Sequence, residues 1–360
     1  MLKKGKVVVG MSGGVDSSVC ACLLKEQGYE VIGVTMQIWQ DVPVENSCGY
    51  DGGCCGESAV NDARRVADKL DIPYYVMNFK EEFDQNVIQY FVQEYLQGRT
   101  PNPCNACNRY VKWESLLNRS LAIGADYIAT GHYAKITRLP NGRYAIANSV
   151  TANKDQTYAL YNLTQEQLSK TLMPVGDFTK EEIRKIAKDH GLPVAGKPDS
   201  QDICFIPDGD YASFVENYSQ KKAVPGNFVD MSGNILGRHK GIIHYTVGQR
   251  RGLNLALGYP AFVAALRPES NEVVIGRDED IYSVVLTANH MNYMGRASFN
   301  AGDRMLAKIR YSHKGAWCTI THCDNEQVSC RFDEPVRAIT PGQAVVFYED
   351  GYVLGGGTIC

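Results

Sequence analysis

Short apolar runs alternate with longer amphipathic segments through the first half of the chain. Compact runs rich in β-branched residues predict buried strands, and apolar residues spaced three or four positions apart predict helices. The predicted strands lie at 7–9, 30–37, 74–78 and 127–134, and the predicted helices at 15–27, 57–70, 81–97 and 178–190. Because strands and helices alternate, we expect an α/β fold with a doubly wound parallel sheet.

The alternation stops near residue 208. Residues 211–280 contain Gly and Pro at short intervals, which predicts short strands, and they carry basic residues at 238–240 and 244–252. From residue 281 onward, short apolar runs are separated by regularly spaced turns, which favours a small β-barrel. We therefore expect an α/β domain at 1–208, a small central domain at 209–280 and a C-terminal β-barrel domain at 281–360.

Composition and charge narrow the class of protein to which this chain can belong. The chain of 360 residues is 44% hydrophobic and 21% charged, which is ordinary for a globular protein, and its net charge of −3 indicates no general affinity for nucleic acid. No apolar run has the length of a membrane span, and the N-terminus lacks the apolar core of a signal peptide. We expect a cytoplasmic protein, where twelve cysteines favour reduced thiols, catalysis or metal binding over disulfides.

A glycine-rich turn joins the first predicted strand to the first predicted helix. Its glycines allow the backbone to approach a ligand, and the N–H groups at the helix start form an anion site. Ser12, Ser17 and Ser18 add hydroxyl donors. The pattern S-G-G-x-D-S lacks the lysine of a Walker loop and resembles the pyrophosphate loop of the PP-loop ATP pyrophosphatases. Such a ligand is expected at the carboxyl ends of the strands.

Several cysteines are candidates for chemistry or metal binding. Cys104 and Cys107 form a C-x-x-C motif at a predicted helix start, which suits a redox pair, half a zinc site or an iron–sulfur ligand set. Taken alone, Cys204 is typical of an ordinary half-buried thiol. Beside the other motifs it becomes a candidate partner thiol. Cys48, Cys54 and Cys55 are irregularly spaced without a nearby histidine, which favours plain loop thiols over zinc ligands.

Two polar positions follow the later predicted strands. His132 lies where the strand at 127–134 ends, a place that suits either a structural or a functional histidine. Lys154, Asp155 and Gln156 form a charged turn, which is either a solvated loop or a binding element.

Seven motifs occur in chain order: GMSGGVDS at 10–17, GRTPNP at 98–103, ATGHY at 129–133, KDQ at 154–156, QDICFI at 201–206, GQRRGL at 248–253 and TPGQ at 340–343. Together they closely resemble the tRNA-specific 2-thiouridylase family from end to end. The resemblance implies a PP-loop domain, a small central domain and a β-barrel. It also implies ATP-dependent replacement of O2 by sulfur in the wobble uridine of the tRNAs for Lys, Glu and Gln.

The resemblance assigns roles residue by residue. It makes Cys107 the nucleophile and Cys204 the carrier of a persulfide, and it places Asn102, Pro103 and Cys104 against the target base. The ATP-binding positions would be Gly10, Met11, Ser12, Gly13, Gly14, Val15, Asp16, Ser17, Met36 and Gly131. The tRNA-binding positions would be His132, Lys154, Asp155, Gln156, Arg310, Tyr311 and Gln343.

The expected cofactors are ATP and Mg²⁺, for which Asp16 is the nearest carboxylate, although an acid inside the loop equally suits orienting the turn. The expected partners are tRNA and an upstream sulfur donor, such as a cysteine desulfurase or a sulfur-relay protein. Sulfur would attack the activated C2 directly from the persulfide or after its release as sulfide by Cys107.

One position departs from the family pattern. Many members have Asp where this chain has Cys104, so Cys104, Cys107 and Cys204 would alternatively hold a [4Fe–4S] cluster that carries the sulfur. Three further functions also fit parts of the sequence: a PP-loop amidating synthetase for a small molecule, a metal-binding redox protein, and a non-catalytic nucleotide- and RNA-binding protein.

Overall fold

Two units emerge from the contacts in the structure, a computed structural model that describes residues 4–39, 56–198 and 203–360. Unit 1 contains residues 1–88, 104–209 and 350–353, and unit 2 contains residues 89–103, 210–349 and 354–360. The cysteines at 48, 54 and 55 lie outside the described residues.

The described helices and strands follow one another in chain order. The α-helices are α1 Val15–Glu26, α2 Glu57–Lys69, α3 Lys80–Phe83, α4 Gln89–Leu96, α5 Pro103–Ala106, α6 Leu117–Ala122, α7 Gln165–Ser169, α8 Lys180–Asp189 and α9 Tyr211–Ser219. Two stretches are π-helical, Asp84–Ile88 and Cys107–Leu116. Short 3₁₀ turns lie at Ala152–Lys154, Thr157–Leu160, Pro174–Asp177, Ile242–His244 and Glu279–Ile281. The strands are β1 Lys6–Gly10, β2 Glu30–Gln37, β3 Tyr74–Asn78, β4 Tyr127–Ala129, β5 Ala134–Arg138, β6 Tyr144–Asn148, β7 Thr171–Leu172, β8 Gly226–Val229, β9 Ile235–His239, β10 Phe262–Arg267, β11 Glu272–Gly276, β12 Tyr282–Tyr293, β13 Arg304–Lys308, β14 Ala316–Cys323, β15 Gln327–Arg337, β16 Ala344–Glu349 and β17 Tyr352–Ile359.

Unit 1 is built on a parallel sheet, as the alternating pattern predicts. Its five strands lie in the order β3-β2-β1-β4-β7, and every described pairing among them is parallel. The β1 residues Val7, Val8 and Val9 are all fully buried, because a central parallel strand is covered on both faces. Helix α1 packs on this sheet and against α8, so most of its residues are buried as well. The predicted α/β fold is confirmed.

Two predicted elements differ from the structure for local reasons. The helix predicted at 81–97 begins at Lys80 and contains the π-helical stretch Asp84–Ile88. There the Asn86 side-chain amide donates to the Glu82 carbonyl at 2.9 Å, which takes up the acceptor of the regular helical bond. The strand predicted at 127–134 ends at Ala129, because Gly131 leaves the sheet to pack against the start of α1.

The central part of unit 2 is a four-stranded sheet in the order β10-β11-β8-β9. Its core packs Phe228, Tyr245 and Val263 together. The short strands agree with the prediction, but helix α9 was not predicted. Its signal is the N-cap residue Asp210, whose carboxylate accepts a hydrogen bond from the Ser213 N–H at 3.1 Å.

The predicted β-barrel is confirmed at the C-terminal end. Six strands lie in the order β12-β15-β14-β13-β16-β17, and a further pairing between β12 and β17 closes the sheet. The closing strand β17 contains three consecutive glycines, a residue type that is usually unfavourable within a strand. A Cβ at Gly357 would lie 2.4 Å from Met291 Sδ and 2.6 Å from the Asn289 carbonyl oxygen, so glycine lets these strands close the barrel.

Within the part of the chain that the structure describes, no helix combines the length and apolar character that a bilayer crossing requires. The bounds of the three domains remain a prediction.

Two valine-to-alanine substitutions test the assigned barrel core. Val345→Ala removes two methyl groups from a fully buried position and should lower the free energy of unfolding by about 1–3 kcal/mol. Val285→Ala, on a barrel strand at 51% exposure, is the matched control and should change it by less than about 0.5 kcal/mol. Urea unfolding of both variants measures the difference, and equal losses would contradict the assigned core.

Candidate functional site

The glycine-rich loop lies between the carboxyl end of β1 and the first turn of α1. Gly13 has φ +67°, and a Cβ there would lie 2.3 Å from the Ala59 carbonyl oxygen. Gly14 is the N-cap of α1, and no side chain caps this helix end. The first N–H groups of α1 have no acceptor within the helix, so they form a site for an anion such as a phosphate.

Hydroxyl groups of the loop stabilise it through hydrogen bonds to its own backbone. Ser17 Oγ accepts a hydrogen bond from the Ser12 N–H at 3.2 Å, and Ser18 Oγ donates to the Gly14 carbonyl at 2.7 Å. The sequence analysis predicted that these hydroxyls donate to a ligand. In the structure, the hydrogen bonds of Ser17 and Ser18 instead fix the conformation of the loop. Met11 and Val15 are at most 4% exposed, so only their backbone can face a ligand.

Other predicted nucleotide-binding positions lie at the same edge of the sheet. Gly10 ends β1, and Met36 lies near the carboxyl end of β2. Gly131 follows β4, and a Cβ there would lie 2.5 Å from the Ser17 nitrogen. The structure therefore brings the backbone of this position into contact with the loop.

Asp16 is tied to two partners that the sequence analysis missed. Its Oδ1 accepts hydrogen bonds from Tyr133 Oη and Lys180 Nζ, both at 2.7 Å, and the Lys180 side chain is only 10% exposed. Lys180 is the first residue of α8, where the positive end of the helix dipole opposes a cation. In the sequence, a lysine at this unfavourable position was the sign that its side chain has a specific partner.

A second lysine reaches the loop from residue 197. Lys197 Nζ donates to the Gly13 carbonyl at 3.2 Å and to the Asp62 carboxylate at 2.6 Å. Burial raises the pKa of the Asp62 carboxyl, but hydrogen bonds from Lys197 and Arg65 lower it. The net effect is a pKa below the usual value. No motif marked Lys197 in the sequence, since the pairing joins residues far apart in the chain.

These residues fit the triphosphate of ATP. The uncapped start of α1 and the glycine backbone offer N–H donors, and Lys180 and Lys197 supply positive charge beside them. An Mg²⁺ ion bound at Asp16 would share that carboxylate with Lys180 and Tyr133. The contacts of Asp16 thus agree with the alternative that it orients the loop.

His132 and the charged turn at 154–156 lie beside the loop of unit 1. His132 Nδ1 lies 2.7 Å from Thr130 Oγ1, and its ring packs 5.5 Å from the Trp113 ring. Burial, reinforced by Lys112, holds the pKa of His132 well below its usual range, so the ring is neutral at pH 7. Gln156 Oε1 accepts a hydrogen bond from the Tyr133 N–H at 2.8 Å, which joins the turn to this segment.

Within that turn, Asp155 has a structural role. Its carboxylate accepts hydrogen bonds from the Ser149 N–H at 3.0 Å and the Thr157 hydroxyl at 2.5 Å. Lys154 is the last residue of a 3₁₀ turn that has no buried residues.

The three candidate cysteines belong to unit 1. Cys104 lies in α5 and is exposed, and Cys107 begins the π-helical stretch Cys107–Leu116 and is half-buried. The next residue, Asn108, fixes this stretch, because its Nδ2 donates to the Ala159 carbonyl at 2.8 Å and its Oδ1 accepts from Lys112 at 2.8 Å.

Cys204 is half-buried and is placed by its neighbour. The Phe205 ring is 5% exposed and packs edge-on 5.6 Å from Phe83, and it lies 6.3 Å from Trp39 just beyond β2. Residues 199–202, with part of the predicted motif, lie outside the described residues.

Among the described residues, Cys104, Cys107 and Cys204 do not form a group whose sulfur atoms all lie within 4.8 Å of one another. A metal ion or a cluster at these thiols stays a prediction.

Unit 2 holds the remaining candidates around one contact. Gln343 Nε2 donates to the Thr100 carbonyl at 2.8 Å, and the Thr100 N–H donates to the Pro341 carbonyl at 2.9 Å. Thr100 leads directly to Asn102 and Pro103, so the turn at 340–343 anchors the start of the predicted target-base segment.

A cavity of about 210 Å³ lies in the same unit, and its lining includes Thr100, Arg310 and Gln343. Arg310 donates to the Arg337 carbonyl at 3.1 Å, and the neighbouring Tyr311 is 49% exposed.

The basic stretch at 238–240 is less uniform than the sequence suggested. His239 is 3% exposed, packs against Phe228 and Tyr245, and lies 3.1 Å from the Asn271 carbonyl through Nε2. It is a core residue, whereas Arg238 and Lys240 beside it are exposed.

We predict that Gly13→Ala weakens ATP binding at least about tenfold, because both φ and the Ala59 backbone exclude a side chain. Gly28→Ala is the matched control, since Gly28 also has positive φ but nothing within 4 Å of an added Cβ. Isothermal titration with ATP compares the variants, and equal affinities would contradict the assigned cradle.

We also predict that Lys180→Met lowers both the stability of unit 1 and its affinity for ATP, because the Asp16 carboxylate loses its cation. Lys185→Met breaks an exposed ion pair with Asp189 on the same helix and should change neither. Urea midpoints and ATP titration measure both effects. Identical behaviour of the two variants would rule out the role of Lys180.

Comparison with known families covers nearly the whole chain. The model described as tRNA methyl transferase HUP domain matches residues 5–208, the one described as tRNA methyl transferase PRC-barrel domain matches 212–277, and the one described as aminomethyltransferase beta-barrel domain matches 283–359.

Relatives named tRNA-specific 2-thiouridylase MnmA are similar along their full length. The relative from Lachnoclostridium phytofermentans is 68% identical over 98% of this chain and 99% of its own. That from Acetivibrio thermocellus is 58% identical over 99% and 100%, and one from Clostridium perfringens is 56% identical over 99% of both chains. With this identity over matching length, and with the family models covering the same span, the chain belongs to the tRNA-specific 2-thiouridylase family.

Proposed function

We propose that the protein is a tRNA-uridine 2-sulfurtransferase. It adenylates the C2 oxygen of the wobble uridine in the tRNAs for Lys, Glu and Gln with ATP, and then replaces that oxygen by sulfur from a cysteine persulfide. The products are 2-thiouridine, AMP and pyrophosphate.

One observation carries the proposal. The glycine-lined, uncapped start of α1, with Lys180 and Lys197 at its loop, lies in the same unit as the half-buried thiols of Cys107 and Cys204. An ATP site alone suits any adenylating enzyme, and two thiols alone suit a redox protein. Their combination favours an adenylated group that is attacked by sulfur, and the names of the relatives point to the same reaction.

The first step activates a poor leaving group. The uridine O2 attacks the α-phosphorus of ATP, a bond from O2 to phosphorus forms, and the bond to the bridging oxygen breaks as pyrophosphate leaves. The N–H groups of the loop and the two lysines stabilise the charge that develops on pyrophosphate. Mg²⁺ bound with ATP would neutralise further charge on the phosphates.

The second step transfers sulfur. The terminal sulfur of a persulfide on Cys204 attacks C2, and the bond from C2 to O2 breaks as AMP leaves. The Cys107 thiolate then attacks Cys204 Sγ and breaks the S–S bond, whose electrons remain on the sulfur attached to C2. This yields 2-thiouridine and a Cys107–Cys204 disulfide, which an external thiol reductant returns to two thiols. An upstream persulfide donor, such as a cysteine desulfurase or a sulfur-relay protein, reloads Cys204.

The tRNA contacts are proposed on both units. Asn102, Pro103 and Cys104 receive the uridine, which has to leave the anticodon stack to reach them. His132, Lys154, Asp155 and Gln156 contact tRNA from unit 1, and Arg310, Tyr311 and Gln343 contact it from unit 2. Because His132 is neutral, it offers a hydrogen bond rather than a charge, whereas Lys154 and Arg310 offer charge to phosphates.

A [4Fe–4S] cluster is the competing sulfur carrier. Cys104, Cys107 and Cys204 are the donor type that clusters require, and a cluster held by three cysteines would leave one iron for the transferred sulfur. A non-catalytic nucleotide- and RNA-binding protein is the competing function outside enzymes. A PP-loop amidating synthetase would leave the thiols without a role.

We predict that Cys107→Ser and Cys204→Ala each reduce 2-thiouridine formation at least about a hundredfold, since each removes a reacting sulfur. Pyrophosphate release in the presence of tRNA should remain measurable, because adenylation releases pyrophosphate before sulfur transfer displaces AMP. Cys360→Ser, at an exposed thiol outside the proposed site, is the control and should retain activity. The assay is mass spectrometry of nucleosides from tRNA incubated with ATP, Mg²⁺ and a persulfide donor.

The same experiment separates the competing functions. Full activity of Cys107→Ser would contradict the assigned nucleophile, and binding of tRNA and ATP without release of either pyrophosphate or AMP would favour the non-catalytic protein. Full activity in iron-free protein rules out the cluster. Iron and sulfide that co-purify anaerobically and are required for activity would replace the persulfide route.

A further inference from the structure

A group of three metal-ligating side chains lies at the end of α1 away from the ATP loop. Cys22 and Glu26 are four residues apart and therefore lie on one face of α1, and His190 directly follows α8. Their ligand atoms, a sulfur, a carboxylate oxygen and a ring nitrogen, all lie within 4.8 Å of one another. His190 Nε2 is 3.3 Å from Glu26 Oε1.

The two helices that carry these residues are joined at both ends. Near their first turns, Lys180 of α8 pairs with Asp16 of α1, and near their last turns His190 contacts Glu26. The helices therefore run in the same direction, and their carboxyl ends meet at the three side chains. The negative ends of two helix dipoles converge there, which favours a cation.

Two lysines lie near the group, at positions 25 and 69. Lys25 Nζ donates to the carbonyl oxygens of Leu70 and Asp71. Lys69 lies near the next residue, Gly191, where an added Cβ would be 3.8 Å from its Nζ. Burial, followed by the Glu26 charge, raises the pKa of the Cys22 thiol to about 11, so this sulfur is protonated at neutral pH in the absence of a cation.

We propose that Cys22, Glu26 and His190 bind one divalent ion of the Zn²⁺ class, with water completing the coordination. Sulfur, nitrogen and oxygen donors together suit Zn²⁺, whereas Mg²⁺ takes oxygen ligands. On binding, the Cys22 proton leaves to solvent and a thiolate–metal bond forms. The ion clips the carboxyl ends of α1 and α8, and thereby steadies the two helices whose first turns carry Asp16 and Lys180.

Co²⁺ titration of the reduced, metal-free full-length chain tests this site, because a cobalt thiolate absorbs strongly in the near ultraviolet. The background is Cys104→Ala/Cys107→Ala/Cys204→Ala, which removes the three thiols proposed for sulfur transfer. We expect one equivalent of Co²⁺ with a thiolate absorption band, displacement of that Co²⁺ by Zn²⁺, and a higher melting temperature with Zn²⁺ bound.

Variants in this background identify the ligands. Cys22→Ala should abolish the band, and His190→Gln, an exposed change that leaves the core intact, should weaken Co²⁺ binding at least about tenfold. Cys20→Ala on the same helix and Asp189→Asn beside His190 are the matched controls and should retain the band. Absence of a thiolate band, or a band that survives both Cys22→Ala and His190→Gln, would overturn the proposal. Neither result depends on the sulfur-transfer reaction.

Discussion

Close backbone packing around the first turn of α1 is the constraint on which the rest of unit 1 depends. Gly13 lies against the Ala59 carbonyl, and Gly131 lies against the nitrogen of Ser17. A side chain at either position would have to displace backbone atoms. This packing leaves the helix start without a side-chain cap and presents its N–H groups at the carboxyl edge of the sheet. The proposed phosphate site is thus a consequence of how tightly the segments meet.

Ion pairs also stabilise the glycine-rich loop and the first turn of α1. Lys180 neutralises Asp16, and Lys197 bridges Asp62 to the Gly13 carbonyl. Because each lysine is already paired with a carboxylate, the loop does not carry a large positive charge before ATP arrives. The pairs therefore position cations beside the phosphate site at a modest electrostatic cost, and a second contact at the far ends of α1 and α8 keeps these helices aligned.

Unit 2 contributes a different kind of constraint. The turn at 340–343 holds Thr100 through the Gln343 side chain and the Pro341 carbonyl, although Thr100 and Gln343 are separated by 243 positions in the chain. Gly342 is required there, because a Cβ would lie 2.9 Å from the Thr100 nitrogen. The barrel thereby anchors the segment that continues into the proposed target-base residues.

The sequence by itself determined the parallel sheet, the ATP loop, the C-terminal barrel and the thiols that suggest sulfur chemistry. These features rest on local periodicity and on short motifs, which neighbouring residues specify. Tertiary structure alone decided the partners of Asp16, the contacts of Lys180 and Lys197, the core position of His239 and the closing strand β17. Each of these depends on contacts between residues far apart in the chain, where burial and pairing override what a residue type suggests locally. The same reason placed Cys22, Glu26 and His190 together, since only the packing of α1 against α8 brings the histidine to the other two.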